Sequence, residues 1–156
     1  MRALLQRVSR AEVRVDGRPL GAIGAGLLIL VGVAPEDDEL IAAAMAARVA
    51  ALRVFADAAG KTNLSLLDVG GAALVVSQFT LYADASRGRR PSFMRAAGPV
   101  VGEKMYESFC GALAAQGVVV ERGRFGADMA VEMVGDGPFT VWLDSAELGI
   151  GPEVAS

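Results

Sequence analysis

The residues best suited to chemistry lie at the end of an apolar run. Residues 74–81 read Leu-Val-Val-Ser-Gln-Phe-Thr-Leu, and the Val-rich half is typical of a strand covered on both faces. The run turns polar at Ser77, Gln78 and Thr80, so this strand is predicted to carry hydroxyl and amide groups to one edge of a sheet. Buried polar groups need partners, and a ligand can be one of them. The alternative is that these groups bond only to nearby backbone.

A basic loop follows this strand. Arg87, Arg89 and Arg90 lie within the stretch Ala-Ser-Arg-Gly-Arg-Arg-Pro-Ser. A loop of Gly, Ser and Arg can bind phosphate, although such a loop is as often only a solvated surface feature. The net charge of the protein is −3, so there is no general basic field to attract nucleic acid. Any contact with RNA must therefore be local.

The sequence contains no histidine. Ser-His-Asp and Cys-His catalytic groups are therefore excluded, and so are imidazole ligands for a metal. We expect no metal and no cofactor. The single cysteine, Cys110, excludes an intramolecular disulfide and fits a reducing compartment. Its place in an apolar helical pattern predicts a packed side chain rather than a nucleophile.

Length and composition predict one domain over residues 1–156, with residues 146–156 as a surface tail. The apolar fraction is 53% without the 19 glycines. This excess suggests a surface buried against a partner subunit, although an Ala-rich composition explains it equally well. The longest apolar run, Ile23 to Ala34, is shorter than the ~20 residues that span a bilayer. We therefore expect a soluble cytoplasmic protein with no membrane contact.

Alternating residues predict strands at 3–8 and 11–15, with hairpin turn chemistry at Asp16-Gly17. A buried-type strand follows at 27–33. Pro35 and the acidic residues 36–39 indicate the start of a helix. Its apolar face is predicted to include the residues Leu40, Ile41, Ala44, Met45, Val49 and Leu52.

The next part of the chain is predicted to form a short strand at 53–56, a loop at 57–63 and a brief segment at 64–68. The central strand and then a second helix follow. That helix opens at Gly98-Pro99, carries Val100 on its apolar face and ends near Gly117. Strands are expected at 118–122, 129–134 and 139–143, with a turn at 135–138. Spacing alone favours a trans bond before Pro138. The fold class is therefore α/β, a layered domain with a mixed sheet and two main helices.

Eight segments together carry a family resemblance. They resemble the D-aminoacyl-tRNA deacylases, also called D-tyrosyl-tRNA deacylases, in matching order from residue 1 to about residue 145. The resemblance is carried by Gln6-Arg7-Val8, Ile23-Gly24, Gly60-Lys61, Asn63, Ser77-Gln78-Phe79-Thr80-Leu81-Tyr82-Ala83, Gly88-Arg89-Arg90-Pro91-Ser92-Phe93, Phe125-Gly126-Ala127-Asp128-Met129 and Asp136-Gly137-Pro138-Phe139-Thr140.

The resemblance implies a homodimer that hydrolyses the ester between a D-amino acid, or glycine, and the terminal ribose of tRNA. It implies that Ser77, Gln78, Phe79 and Thr80 form the pocket for the scissile carbonyl. It also implies a cis bond between Gly137 and Pro138, which would enter the partner subunit's site and exclude L side chains. Phe125 and Met129 would line the pocket for the terminal adenosine.

Two positions depart from the family pattern. Gly135 stands where the family usually has Asn, whose side chain can bond its own backbone and fix a turn. The 135–140 loop is therefore expected to lack the side-chain bond that the family's Asn supplies. Thr62 stands where the family often has Met, which is a minor difference.

The mechanism expected without histidine uses backbone N–H groups of Phe79 and Thr80 to stabilise an oxyanion. Water would be the nucleophile, assisted by the neighbouring ribose hydroxyl. A covalent role for Thr80 is the alternative, but it would need a base. Three other functions stay open: a noncatalytic RNA-binding dimer using the basic loop, a related deacylase acting on small L-aminoacyl-tRNA, and a metabolite-binding domain. Arg7 favours the D-specific enzyme by resemblance.

Overall fold

The structure is a computed structural model that describes residues 1–151. In this part of the chain a main sheet of six strands is joined by two α-helices and a small two-stranded sheet. The predicted α/β class with a mixed sheet and two main helices is confirmed. The last residues of the described part include Leu148 and Ile150, which pack partly against the core. Residues 152–156 of the predicted tail lie outside the described residues.

The chain begins with a long β-hairpin. Strand β1 (Arg2–Val15) turns at Asp16-Gly17 into strand β2 (Arg18–Ile23). Both turn residues have positive φ, 51° and 74°, which suits the tight turns that join twisted strands. The predicted turn is confirmed. The two strands expected at 3–8 and 11–15 are one continuous strand, because β1 pairs along its length with the last strand of the chain.

The middle of the chain connects two parallel strands of the main sheet. Helix α1 begins after Asp38, whose side chain accepts a hydrogen bond from the N–H of Ile41 at 2.8 Å. This cap confirms the helix start that the acidic residues indicate. The elements in order are β3 (Gly26–Gly32), α1 (Glu39–Ala51), β4 (Arg53–Ala56), β5 (Thr62–Ser65) and β6 (Ala72–Ser77).

Strand β6 ends at Ser77, so Ser77 is the only one of the three predicted polar residues that lies on the strand. The last ladder bond runs from Gln78 N to Val31 O at 2.7 Å, and β3 ends one residue later. Without a partner to extend the ladder, the chain turns into a 3₁₀-helix (Phe79–Tyr82). Gln78 and Thr80, which were expected to be carried by the end of this strand, therefore lie on a tight turn.

The rest of the chain adds a helix and two strands. These are α2 (Pro99–Ala115), β7 (Val119–Arg122) and β8 (Ala130–Asp144). Helix α2 begins after Gly98, and Gly117 follows its end with φ of +95°, as the predicted bounds require. The two final strands expected at 129–134 and 139–143 are one strand, β8, that pairs antiparallel with β1. The expected turn between them is wrong.

Residues 136–139 form a bulge in β8. Gly135 pairs with Val8 and Thr140 pairs with Gln6, so four residues of β8 face Arg7 alone. The Gly137-Pro138 bond within this bulge is cis. The trans bond expected from spacing is therefore wrong, and the cis bond implied by the resemblance is present.

Two apolar clusters cover the two faces of the sheet. The larger cluster lies between the sheet and the helices, and the smaller lies where β2 and the second half of β1 fold over β3 and β6. Leu74 and Val75, which point to opposite faces, are both fully buried. The prediction of a central strand covered on both faces is confirmed.

Leu40 and Val100 do not lie on buried helix faces, as was expected from their spacing. Their exposures are 71% and 83%. Both residues stand in the first turn of their helices and lie off the stripe that contacts the sheet. In α1 that stripe consists of Ile41, Ala42, Met45, Ala46, Val49 and Ala50.

A substitution at Gly26 tests how closely the backbones of β3 and β6 approach each other. A Cβ atom added there would lie 1.9 Å from the carbonyl oxygen of Ala72, whereas one added at Gly24 would meet nothing within 4 Å. We expect Gly26→Ala to lower the free energy of unfolding by about 3 kcal/mol, because backbone must move. Gly24→Ala is the control, with an effect within about 0.5 kcal/mol. Urea denaturation compares the two, and equal stabilities would contradict the observed strand spacing.

Candidate active site

A cavity lies at the carboxyl ends of the parallel strands. Strands β3, β6 and β7 all run in the same direction, so their carboxyl ends meet at one edge, where ligands commonly bind in α/β sheets. The cavity has a volume of about 640 Å³. Its lining residues include Ser77, Gln78, Phe79, Phe93, Phe125, Asp128 and Met129. Five of the six residues expected to form the carbonyl and adenosine pockets therefore line one cavity. The sixth, Thr80, is not among the lining residues.

The 3₁₀-helix presents backbone donors beside this cavity. Its first bonds run from Leu81 N to Gln78 O at 3.2 Å and from Ala83 N to Thr80 O at 3.0 Å. The N–H groups of Phe79 and Thr80 precede these donors, so they have no acceptor within the helix. Two adjacent backbone donors at a cavity edge can stabilise negative charge on an oxygen.

The side chains of this turn hold one another. The amide Nε2 of Gln78 donates a hydrogen bond to the hydroxyl oxygen of Thr80. An amide does not remove a proton, so this contact does not activate the Thr80 hydroxyl as a nucleophile. The Phe79 ring is 55% exposed and packs edge-on against Phe93, with ring centroids 5.0 Å apart.

Phe125 and Met129 depend on two glycines beside them. A Cβ atom at Gly102 would lie 3.1 Å from the Phe125 ring, and one at Gly123 would lie 2.7 Å from the Met129 sulfur. Only glycine leaves room for these side chains in their observed positions. Both glycines escaped the sequence analysis, because a small residue next to an aromatic wall has no recognisable pattern before the fold is known.

Tyr106 supports the same wall from behind. Its hydroxyl donates a hydrogen bond to Val75 O at 2.9 Å, and its ring lies 6.1 Å from that of Phe125. Burial raises the pKa of Tyr106 above its usual range, so the hydroxyl keeps its proton and remains a donor. Sequence reasoning missed this residue, since a tyrosine in an apolar helix stripe is indistinguishable from ordinary core.

Gly137 and Pro138 do not line this cavity. They lie in the β8 bulge, where Arg7 Nε is 3.1 Å from Asp136 O and 3.0 Å from its carboxylate oxygen. Arg7 Nη1 donates to Val54 O at 2.5 Å, and its guanidinium lies 4.8 Å from the Phe139 ring centroid. Arg7 of β1 thus bonds both to the bulge and to β4, and these contacts hold the bulge in place. This contact fixes the loop where Gly135 has no side chain to do so.

Arg87, Arg89 and Arg90 are exposed and do not line the cavity. Asp84 and Ser92 close their loop by two reciprocal backbone hydrogen bonds of 2.8 and 2.9 Å. Hydrogen bonds from Ser86 lower the pKa of Asp84, so this carboxylate is charged at neutral pH.

Residues 1–151 contain no group of three or more acidic, Cys or His side chains placed to hold a metal ion. Among the helices of the same residues, none has the length and apolar character needed to cross a membrane.

Comparison with known proteins identifies the family. The profile of the family described as D-Tyr-tRNA(Tyr) deacylase matches residues 4–144. The chain belongs to this family. A relative from Dinoroseobacter shibae, named D-aminoacyl-tRNA deacylase, is 59% identical and aligns over 92% of this chain and 99% of its own. A relative of the same name from Thermomicrobium roseum is 60% identical over 95% of this chain and 96% of its own. The resemblance found in the motifs is confirmed.

Two solved structures share the fold of this deacylase-family chain. One is described as a c-Myc DNA unwinding element binding protein. It has a TM-score of 0.87 and 38% identity, covering 93% of this chain and 99% of its own. The other is described as a probable eukaryotic D-amino acid tRNA deacylase, with a TM-score of 0.82, 17% identity, and coverage of 91% and 97%. At that identity the second match shows the fold alone.

Cys110 is expected to be unreactive in this deacylase-family fold. It is fully buried, and burial raises the pKa of Cys110 to about 11, so the thiol is protonated near neutral pH. We expect a thiol reagent to modify it at least about 100-fold more slowly than a cysteine placed at exposed Ala58. Absorbance of the released thiolate measures both rates. Equal rates in the native protein would contradict a packed structural role, and unfolding in denaturant should remove the difference.

Proposed function

We propose that this protein hydrolyses the ester bond of D-aminoacyl-tRNA and of glycine mischarged on tRNA. The observation that carries the proposal is the pair of backbone donors at Phe79 and Thr80, at the edge of the cavity beside Phe125 and Met129, in a chain of the deacylase family. The terminal adenosine binds against Phe125 and Met129, and the ester carbonyl lies over the 3₁₀-helix. A tRNA substrate places the protein in the cytoplasm.

Hydrolysis needs only modest help, because an aminoacyl ester is already activated. Water attacks the carbonyl, and the N–H groups of Phe79 and Thr80 bind the oxyanion that forms. Such donors can contribute about 3–4 kcal/mol to transition-state stabilisation. The neighbouring ribose hydroxyl of the tRNA helps to activate the water. Ser77 and Gln78 shape the pocket, and Gln78 also holds Thr80 through its amide.

A second copy of the chain completes the site. The edge strand β8 exposes four large apolar side chains, Val131, Met133, Val134 and Trp142, at 37–42% exposure. Apolar side chains exposed on an edge strand favour burial against another subunit. In the homodimer, Gly137 and Pro138 of one protomer enter the cavity of its partner. Their backbone carbonyls leave no room for an L side chain, whereas glycine has none to exclude.

The direct test is deacylation of tRNA charged with D-Tyr, Gly, L-Tyr or L-Ala. We expect D-Tyr and Gly to be released at least about 100-fold faster than L-Tyr, because only L side chains meet the backbone of Gly137 and Pro138. Acid-precipitable radiolabel follows each reaction. Rapid release of L-Tyr would overturn the proposal. Rapid release of L-Ala without D-Tyr would favour the related deacylase of small L-aminoacyl-tRNA.

Thr80→Ala distinguishes the two chemical roles of the turn. We expect kcat to stay within about tenfold of wild type, because the variant keeps the backbone N–H and loses only a hydroxyl. Quenched-flow single-turnover kinetics measures the chemical step directly. Complete loss of activity in a variant of unchanged circular dichroism would favour the covalent role instead.

Arg87, Arg89 and Arg90 are proposed to bind tRNA phosphates near the site. We expect replacement of all three by Ala to raise KM and to flatten its dependence on salt between about 50 mM and about 200 mM, since fewer counterions are released on binding. Arg18→Ala, an exposed arginine on β2, is the control and should keep the wild-type slope. An unchanged slope in the triple variant would show that these arginines are only solvated.

Binding of nucleic acid without catalysis is the second candidate function. The observation that favours it is the 38% identity to a solved protein described as binding a DNA unwinding element. It predicts retention of tRNA with the ester intact. The deacylation assay therefore separates the two candidates.

A further inference from the structure

Arg2, at the start of β1, contacts two distant parts of the chain. Its Nη1 donates a hydrogen bond to Leu81 O at 2.9 Å, and its Nε donates to the Asp144 carboxylate at 2.8 Å. The side chains of Arg2 and Asp144 are 24% and 12% exposed. One planar guanidinium thus joins the 3₁₀-helix to the end of β8.

Two aromatic rings restrict the same guanidinium. Its central carbon lies 4.4 Å from the Tyr82 ring centroid and 5.4 Å from that of Trp142. A cation held by rings and by a charged carboxylate has few alternative positions. The bond that Arg2 makes to Leu81 is therefore a fixed anchor rather than a transient surface contact.

The 3₁₀-helix needs such an anchor. It is four residues long, and a helix of this length has too few internal bonds to hold its own geometry. One end is fixed by the bond from Gln78 N to Val31 O. Leu81 O, near the other end, is the acceptor that Arg2 holds. Between these two anchors lie the N–H groups of Phe79 and Thr80.

We propose that Arg2 is a positioning residue, which fixes the 3₁₀-helix so that the N–H groups of Phe79 and Thr80 point at the developing oxyanion. This inference rests on the proposed function, since the oxyanion belongs to ester hydrolysis. It assigns to Arg2 an effect on the chemical step rather than on tRNA binding. The cavity wall at Phe125 packs instead against Gly102 and Tyr106 of α2.

The test is Arg2→Lys. A lysine keeps the positive charge. One ammonium on a flexible stem cannot, however, replace the two guanidinium nitrogens that bond to Leu81 O and to the Asp144 carboxylate at the same time. We expect kcat for D-Tyr-tRNA to fall roughly 10- to 100-fold, as a misplaced catalytic group does, while KM stays within about twofold. Arg18→Lys on β2 is the matched control and should match wild type in both constants.

Asp144→Asn provides a second variant. This variant keeps Arg2 and a side chain of the same shape at residue 144, but it removes the negative charge that orients the Arg2 guanidinium. We expect a smaller fall in kcat, again with KM unchanged. A folded Arg2→Lys or Asp144→Asn with wild-type kcat would overturn the positioning role, and so would a loss confined to thermal stability. If Arg2→Lys does not fold, Asp144→Asn decides.

Amide resonances separate this inference from the proposed function. In ¹H–¹⁵N spectra, the N–H signals of Phe79 and Thr80 should shift in Arg2→Lys and stay in place in Arg18→Lys. This result supports the anchor even if the wild-type protein fails to hydrolyse D-Tyr-tRNA. Unchanged signals in a folded Arg2→Lys would contradict it.

Discussion

Strand β6 runs out of pairing partners while it is still inside the fold, and the candidate site depends on this constraint. Its neighbour β3 ends at Gly32, where an added Cβ would lie 3.1 Å from Gln78 O and 3.2 Å from the Tyr82 ring. The chain can therefore turn directly against the end of β3, because residue 32 has no side chain. The turn leaves two backbone donors without internal acceptors at the mouth of a cavity. Main-chain groups, rather than charged side chains, thus lie at this edge of the cavity.

Several buried or half-buried side chains hold the backbone of the site and of the β8 bulge in position. Tyr106 reaches from α2 to Val75 and Phe125, and Arg7 reaches from β1 to the β8 bulge and Val54. Arg2 lies on the same strand as Arg7 and donates a hydrogen bond to Leu81 O in the 3₁₀-helix. Strand β1 therefore carries one arginine for the turn and one for the bulge. A site that works through backbone depends on such supports, because backbone position follows from packing and hydrogen bonds.

Local sequence patterns were sufficient where a local rule decides the structure. The Asp16-Gly17 turn, the Asp38 cap and the Gly117 helix end each follow from the conformational preference of one or two residues. Local patterns were insufficient where the structure of a segment depends on a residue or strand that is distant in the sequence. The end of β6 at Ser77 depends on the length of β3, and the bulge at 136–139 depends on its pairing with Arg7. The family resemblance predicted the cis bond before Pro138, whereas spacing alone predicted a trans bond.

The central claim is that backbone N–H groups of one short turn bind the reacting carbonyl of a D-aminoacyl ester. A crystal structure with a D-tyrosyl adenosine, in which a stable amide replaces the ester, tests it most directly. The account predicts the analogue carbonyl within hydrogen-bond distance of Phe79 N or Thr80 N and the adenine against Phe125 and Met129. It would be contradicted by a carbonyl that faces the Thr80 hydroxyl, or by an adenine bound outside the cavity.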